Sequence, residues 1–177
     1  MPEFRKYEII GVANHHIFNL GEDYEVELVW TAGHAAGHAM FLDKKGCILF
    51  AGDDICSDIS GIGGGPKENE PYGKFCNIET FRNQLVQLVE RMDEFNYIFP
   101  SHFMNNIENN LLPNMLEACD AILADPMKYD YSVLHTSPNG GPSWPRMMKY
   151  IRGFSCIAYT ERGIHPLPDA LPGKYSI

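Results

Sequence analysis

Residues 24–54 read YEVELVWTAGHAAGHAMFLDKKGCILFAGDD, and this stretch decides the fold class. Apolar and acidic residues alternate over Tyr24–Trp30, which is typical of a strand with one buried face. Two short apolar runs follow, Ala39–Leu42 and Cys47–Ala51, and a turn sequence separates them. Such runs indicate strands inside a sheet. The stretch therefore predicts three strands, with a histidine-containing turn between the first and the second.

Two helices are predicted further along the chain. Apolar residues recur at helical spacing from about Ile78 to Glu94, with Asn77 as the N-cap, and again over Pro113–Ala124. Strands are predicted at Asn96–Phe99, between the helices, and at Phe154–Thr160. This order of elements predicts a layered α/β domain in which helices cover a sheet.

A chain of 177 residues has the length of one domain, so we expect a single domain over 1–177. A short strand is predicted at Tyr7–Val12. Long loops rich in glycine or proline are predicted at 53–76 and 135–145, and loops of this length are often functional. The tail, Leu167–Ile177, is expected to be an extended surface segment.

Composition excludes several classes of protein. The chain has 14 basic and 23 acidic residues, a net charge of −9, which argues against nucleic-acid binding because that affinity depends on Lys and Arg. No apolar stretch approaches the roughly 20 residues of a membrane-spanning helix. Five scattered cysteines without a C-x-x-C pair, and charges where a signal peptide would be apolar, predict a protein of the reducing cytoplasm.

Three polar residues lie next to predicted strands, where loops often place functional groups. They are His38, Asp53 and His102. If the strands are neighbours in one sheet, the three side chains converge at one edge. Two imidazoles and a carboxylate are ligands that zinc, iron or manganese accept. A single residue of this kind is more often an ordinary hydrogen-bonded side chain than a metal ligand. From spacing alone, a metal site and three ordinary side chains are about equally favoured.

Three motifs in fixed order resemble the carboxy-terminal part of the metallo-β-lactamase fold. They are GHAAGH at 33–38, FAGD at 50–53 and FPSH at 99–102. That superfamily has a GH-x-x-GH turn, a strand ending in F-x-G-D and a strand ending in P-G-H. The resemblance covers about Ile17 to Ile164. It implies the second half of an αββα sandwich, with a mixed sheet and helices on one face.

The resemblance also implies a metal site. His38 would bind the first metal, Asp53 would bridge both metals and orient the attacking water, and His102 would bind the second. The family site implies two zinc ions, with iron or manganese as alternatives, that generate a hydroxide nucleophile from water. The substrate would be a small ester, thioester, lactam or phosphoester. Four nearby residues do not match family ligands, and we expect surface or supporting roles for them: His34, Asp54, Asp58 and Ser101.

The amino-terminal family motif H-x-H-x-D-H is absent from this sequence. Half a sandwich would expose the apolar face of its sheet, which marks an interaction surface or an aggregation hazard. A truncated product, a partner that supplies the other sheet and self-association all stay open, and we expect a homodimer. For function, we expect a metal-dependent hydrolase. The alternative is a catalytically inactive interaction domain with at most a weak single-metal site.

Overall fold

The computed structural model describes residues 7–64, 75–136 and 143–166. Within these ranges the chain forms ten strands and two α-helices. In chain order they are β1 (Ile17–Gly21), β2 (Tyr24–Trp30), β3 (Ala39–Asp43), β4 (Ile48–Gly52), β5 (Ile59–Gly61), α1 (Ile78–Val89), β6 (Tyr97–Pro100), β7 (Ile107–Glu108), α2 (Leu111–Ala124), β8 (Tyr131–His135), β9 (Trp144–Tyr150) and β10 (Cys156–Tyr159).

The strands form two sheets. The larger sheet has the order β1-β2-β3-β4-β6-β7, and its neighbours are antiparallel except for β4 and β6, which run parallel. The smaller sheet has the order β5-β10-β9-β8, with β5 parallel to β10. The fold class is therefore mixed α/β, as the sequence predicts.

One face of the larger sheet packs on the two helices. Alternate residues of its strands are buried there: Val29, Met40, Leu42, Leu49, Ala51 and Ile98. They share one core with Phe81 of α1 and Met115 of α2, and the smaller sheet contributes Ile157 and Tyr159. The period of two in the strands thus directs one set of side chains to the helices.

The opposite face of the larger sheet carries a cross-strand row of apolar side chains. Register places Leu28 beside Phe41, Phe41 beside Phe50, and Phe50 beside Phe99. We call these four residues the apolar row. Phe41 and Phe50 remain 39% and 42% exposed, respectively. The sheet thus has an apolar second face that stays open to solvent, as the sequence predicts for half a sandwich.

Most sequence-predicted elements are confirmed with small changes at their ends. Asn77 caps α1 through a 2.8 Å hydrogen bond from the Thr80 amide. The first helix ends at Val89, and a 3-10 turn at Met92–Glu94 replaces its predicted last turn. The prediction of a strand at Tyr7–Val12 was wrong, because these residues form no regular element.

The two predicted long loops are shorter than expected. The segment 53–76 contains β5, and the ends of 135–145 belong to β8 and β9, which pair as an antiparallel hairpin. For β5 the physical reason is pairing with β10, a partner distant in sequence that no local pattern reveals, whereas β8 and β9 pair with each other. Residues 65–74 and 137–142, and the predicted tail, lie outside the described residues.

Two further features bear on the class of protein. No helix in the described part of the chain is long and apolar enough to cross a membrane. Cys47, Cys56, Cys119 and Cys156 form no disulfide within the described part of the chain.

A buried carboxylate ties β2 to the end of α1. The Glu27 side chain is 7% exposed, and its oxygens lie 2.7 Å from Arg91 Nη2, 2.7 Å from His15 Nδ1 and 3.3 Å from Lys44 Nζ. Burial alone would raise the pKa of Glu27, but the hydrogen bonds from Arg91 and His15 outweigh it and lower the pKa to about 2. The charged form therefore stabilises the fold.

We expect Glu27→Gln to lower the free energy of unfolding by about 2–3 kcal/mol at pH 7, since it removes a paired, buried charge. The folded-state pKa lies below the ordinary 4.5, so this contribution is present above pH 4.5 and is lost as pH falls towards 2. Urea unfolding of both proteins at pH 7 and pH 3 measures the difference. Glu25→Gln, at an exposed position of the same strand, is the control. An equal difference at both pH values would contradict the prediction.

Candidate functional site

The parallel pair β4 and β6 places two predicted site residues together. Gly52 aligns with Pro100 at the carboxyl ends of these strands, and the Ser101 amide donates to the Gly52 carbonyl at 3.1 Å. Asp53 directly follows β4, and His102 is the second residue after β6. Adjacent parallel strands end at the same edge of a sheet, which explains why residues 49 positions apart in the sequence meet.

The histidine turn lies at the same edge, because β2 ends and β3 begins there. His38, immediately before β3, is largely buried, and its Nε2 accepts a hydrogen bond from the Asp53 amide at 3.0 Å. Its Nδ1 lies 3.1 Å from Thr31 Oγ1 and 3.0 Å from Oδ2 of the fully buried Asp54. The imidazole is therefore fixed from both ring nitrogens.

Asp53 is the centre of the cluster. Its Oδ1 accepts a hydrogen bond from the Ser101 hydroxyl and lies 3.2 Å from His102 Nε2. Its Oδ2 lies 3.8 Å from His34 Nε2. The Ser101 hydrogen bond, assisted by the nearby His34 and His102, lowers the pKa of Asp53 below its ordinary value. Asp53 is thus an anion at neutral pH.

A buried thiol lies behind this carboxylate. Cys56 Sγ is 3.5 Å from the Asp53 carbonyl oxygen. Burial, together with the nearby carboxylates, raises the pKa of Cys56 to about 11. The thiol is therefore protonated at neutral pH, and thiolate chemistry is disfavoured there.

The donor types of this cluster, imidazole nitrogens and a carboxylate, are those that transition metal ions accept. His34, Asp53 and His102 have side chains 42%, 37% and 60% exposed, so they can turn towards an ion without repacking the core. The Asp54 carboxylate lies beside His38 Nδ1, and metal-binding histidines usually have such a neighbour. The present arrangement is a hydrogen-bonded cluster: among the described residues, no three such side chains are grouped to hold an ion.

The structure thus brings together all three predicted site residues, His38, Asp53 and His102, and their role as ligands stays a prediction. His34, for which the sequence predicts a surface or supporting role, also lies in the cluster. It contacts Asp53, and its Nδ1 lies 3.0 Å from the Gly61 carbonyl oxygen. The signal was present in the GHAAGH motif, which has two histidines four residues apart and so can place both at one turn.

Three of the remaining neighbours have supporting or surface positions, as expected. Asp54 is buried beside His38, and Ser101 donates to Asp53. Asp58 is exposed and accepts from the amide of Ile59 at 2.5 Å.

Solved structures with similar folds are metallo-β-lactamase proteins. A metallo-beta-lactamase family protein from Thermus thermophilus has a TM-score of 0.53 and 17% identity, over 71% of this chain and 40% of its own. A metallo-beta-lactamase from Pontibacter korlensis has a TM-score of 0.45 and 18% identity, over 62% and 47%. A superfamily protein from Sulfolobus tokodaii has a TM-score of 0.41 and 20% identity, over 75% and 44%. No protein-family model and no curated protein matches the chain.

This chain therefore has a partial metallo-β-lactamase fold, and it spans less than half the length of these three structures. The assignment rests on the Thermus thermophilus structure. At this level of identity the likeness shows the fold alone.

Gly52 is the position where the site tolerates a side chain least. Its φ is +56°, and an added Cβ would collide with the imidazole of His38. Gly153 is a matched control, because its φ is +72° and no described atom lies within 4 Å of its added Cβ. We expect Gly153→Ala to cost about 1–2 kcal/mol for the left-handed backbone alone.

Gly52→Ala should cost more than Gly153→Ala, since it adds the collision with His38. Chemical denaturation of the two variants measures this difference, and the NMR signals of the His38 ring should move only in Gly52→Ala. Equal losses of stability and an unmoved ring would show that His38 does not depend on Gly52.

Proposed function

We propose that this chain is a domain of a metal-dependent hydrolase, with His38, Asp53 and His102 as metal ligands. The observation that supports the proposal is the meeting of these residues at one sheet edge, with Asp53 between the imidazoles. A bound zinc, iron or manganese ion would acidify water and polarise the carbonyl or phosphoryl group of a small ester, thioester, lactam or phosphoester.

The chain's own residues have separate tasks in this proposal. Asp53 is held ionised by Ser101 and the histidines, which suits a carboxylate that binds a cation and orients a water molecule. Asp54, buried against His38, keeps that ring directed towards Asp53. His34 is placed to complete the donor set, because its Nε2 faces the second oxygen of Asp53.

The test uses the purified chain with added Zn²⁺ or Mn²⁺. Calorimetric titration measures metal affinity, and a generic ester and a generic phosphodiester measure hydrolysis. We expect Asp53→Ala to weaken metal binding by more than about tenfold and to abolish metal-dependent turnover.

Asp58→Ala is the matched control for this test, because Asp58 is an exposed carboxylate five residues further along the same loop. It should leave affinity and turnover unchanged. Metal binding that is equally strong in Asp53→Ala would refute the assignment of the ligands. Metal binding without turnover would leave the domain without the proposed activity.

We propose as a second candidate that the chain is an interaction domain that pairs with a second copy of itself. The apolar row supports this, because it contains no charged side chain and two of its members, Phe41 and Phe50, are exposed, whereas the chain as a whole has a net charge of −9. Two negatively charged copies can associate through such an uncharged face. In a twofold-symmetric dimer the same patch of each copy packs against its counterpart.

Light scattering tests the second candidate. We expect the mass of a dimer for the unmodified chain and that of a monomer for Phe50→Lys, since a charge in the row opposes burial. Met127→Lys replaces a side chain that is 65% exposed outside the row, and it should stay dimeric. A monomeric unmodified chain at micromolar concentration would refute this candidate and would leave the hydrolase proposal untouched.

A further inference from the structure

Arg146 is a half-buried cation in the smaller sheet. It lies on β9, opposite Val133 of β8. Burial lowers the pKa of Arg146 below its ordinary value. The guanidinium has therefore lost part of its hydration, which is unfavourable unless another group replaces the water.

No such group is found in the described part of the chain, where the Arg146 side chain has no ion pair and no hydrogen bond. Three other arginines differ in this respect. They lie 2.7–2.9 Å from carboxylate oxygens: Arg82 with Asp120, Arg91 with Glu27, and Arg152 with Glu117. Arg146 therefore differs from these three arginines in having no carboxylate beside it among the described residues.

The position of the guanidinium relates it to the candidate site. A Cβ built on Gly61 would lie 3.3 Å from Arg146 Nη2 and 3.5 Å from His34 Nδ1. The guanidinium and this imidazole thus approach Gly61 from the same side, and the glycine leaves the space between them open. His34 in turn faces Asp53, with 3.8 Å between Nε2 and Oδ2. Arg146 therefore lies at the rim of the histidine–aspartate cluster.

We propose that Arg146 binds an anionic group, a carboxylate or a phosphate, on the molecule that this site acts upon. The planar guanidinium donates two parallel hydrogen bonds to either group, and such charge-assisted pairs are strong. The inference deepens the proposed hydrolase function and rests on it, because only that function makes the bound molecule a substrate. The inference narrows the proposed substrates to anionic molecules in which the negatively charged group lies near the bond that is hydrolysed.

The test measures anion binding without metal, so that an ion in the cluster contributes nothing. The chain is kept in chelator and titrated with inorganic phosphate and, separately, with acetate, while NMR follows the Arg146 Nε–H and Gly61 amide signals. We expect saturable shifts with at least one anion, and the stronger of the two identifies the group. Arg146→Gln should weaken binding by about tenfold or more, and Arg146→Lys should recover part of it.

Arg152→Gln is the matched control, because Arg152 is exposed and already paired with Glu117. It should bind both anions as the unmodified chain does. If neither anion shifts these signals, or if Arg146→Gln and Arg152→Gln bind equally, the inference is overturned.

Zinc affinity of the same variants separates this inference from the proposed function. Zinc binding with no anion binding at Arg146 removes the inference and leaves the hydrolase proposal in place. Anion binding at Arg146 with no zinc binding keeps the anion site and removes the hydrolase proposal.

Discussion

The parallel pairing of β4 with β6 is the constraint on which the candidate site depends. It aligns the ends of two strands separated by α1, and so places Asp53 beside His102 and Ser101. Antiparallel neighbours then bring the histidine turn to the same edge. Because a crossover helix must return the chain to start β6, the packing of α1 on the inner face of the sheet is part of the site's geometry.

The sequence predicted the central elements because their patterns are local. Apolar and acidic residues alternate from Tyr24 to Leu28, and α1 has apolar residues at helical spacing after an N-cap asparagine. The smaller sheet could not be predicted as a sheet. The three residues of β5 are too few to show an alternation of apolar and polar residues. They become a strand because β10, almost one hundred residues later, supplies the hydrogen bonds. Pairing at that distance has no signature in either segment alone.

The residues of the candidate site likewise include some that the sequence predicts and some that only the structure reveals. His38, Asp53 and His102 were found because each follows or precedes a predictable strand within a recognisable motif. Arg146 was missed for two reasons. It lies on β9, a strand whose start was predicted to be a loop, and it stands out only because its side chain has no ion-pair partner in the described part of the chain. A missing ion pair becomes visible only once all the neighbouring side chains have positions. Asp54 shows a similar limit, since its burial against His38 is a property of packing.

The parallel pair β5 and β10 has a consequence for the order of folding. The larger sheet and α1 use contacts within the first 108 residues, whereas β5 gains its strand partner only when β10 pairs with it, and Thr160 donates to the Gly63 carbonyl across 97 positions. Closing such a long loop is slow compared with forming hairpins. We therefore expect the histidine–aspartate cluster to assemble before the wall beside His34, which β5 and β10 complete.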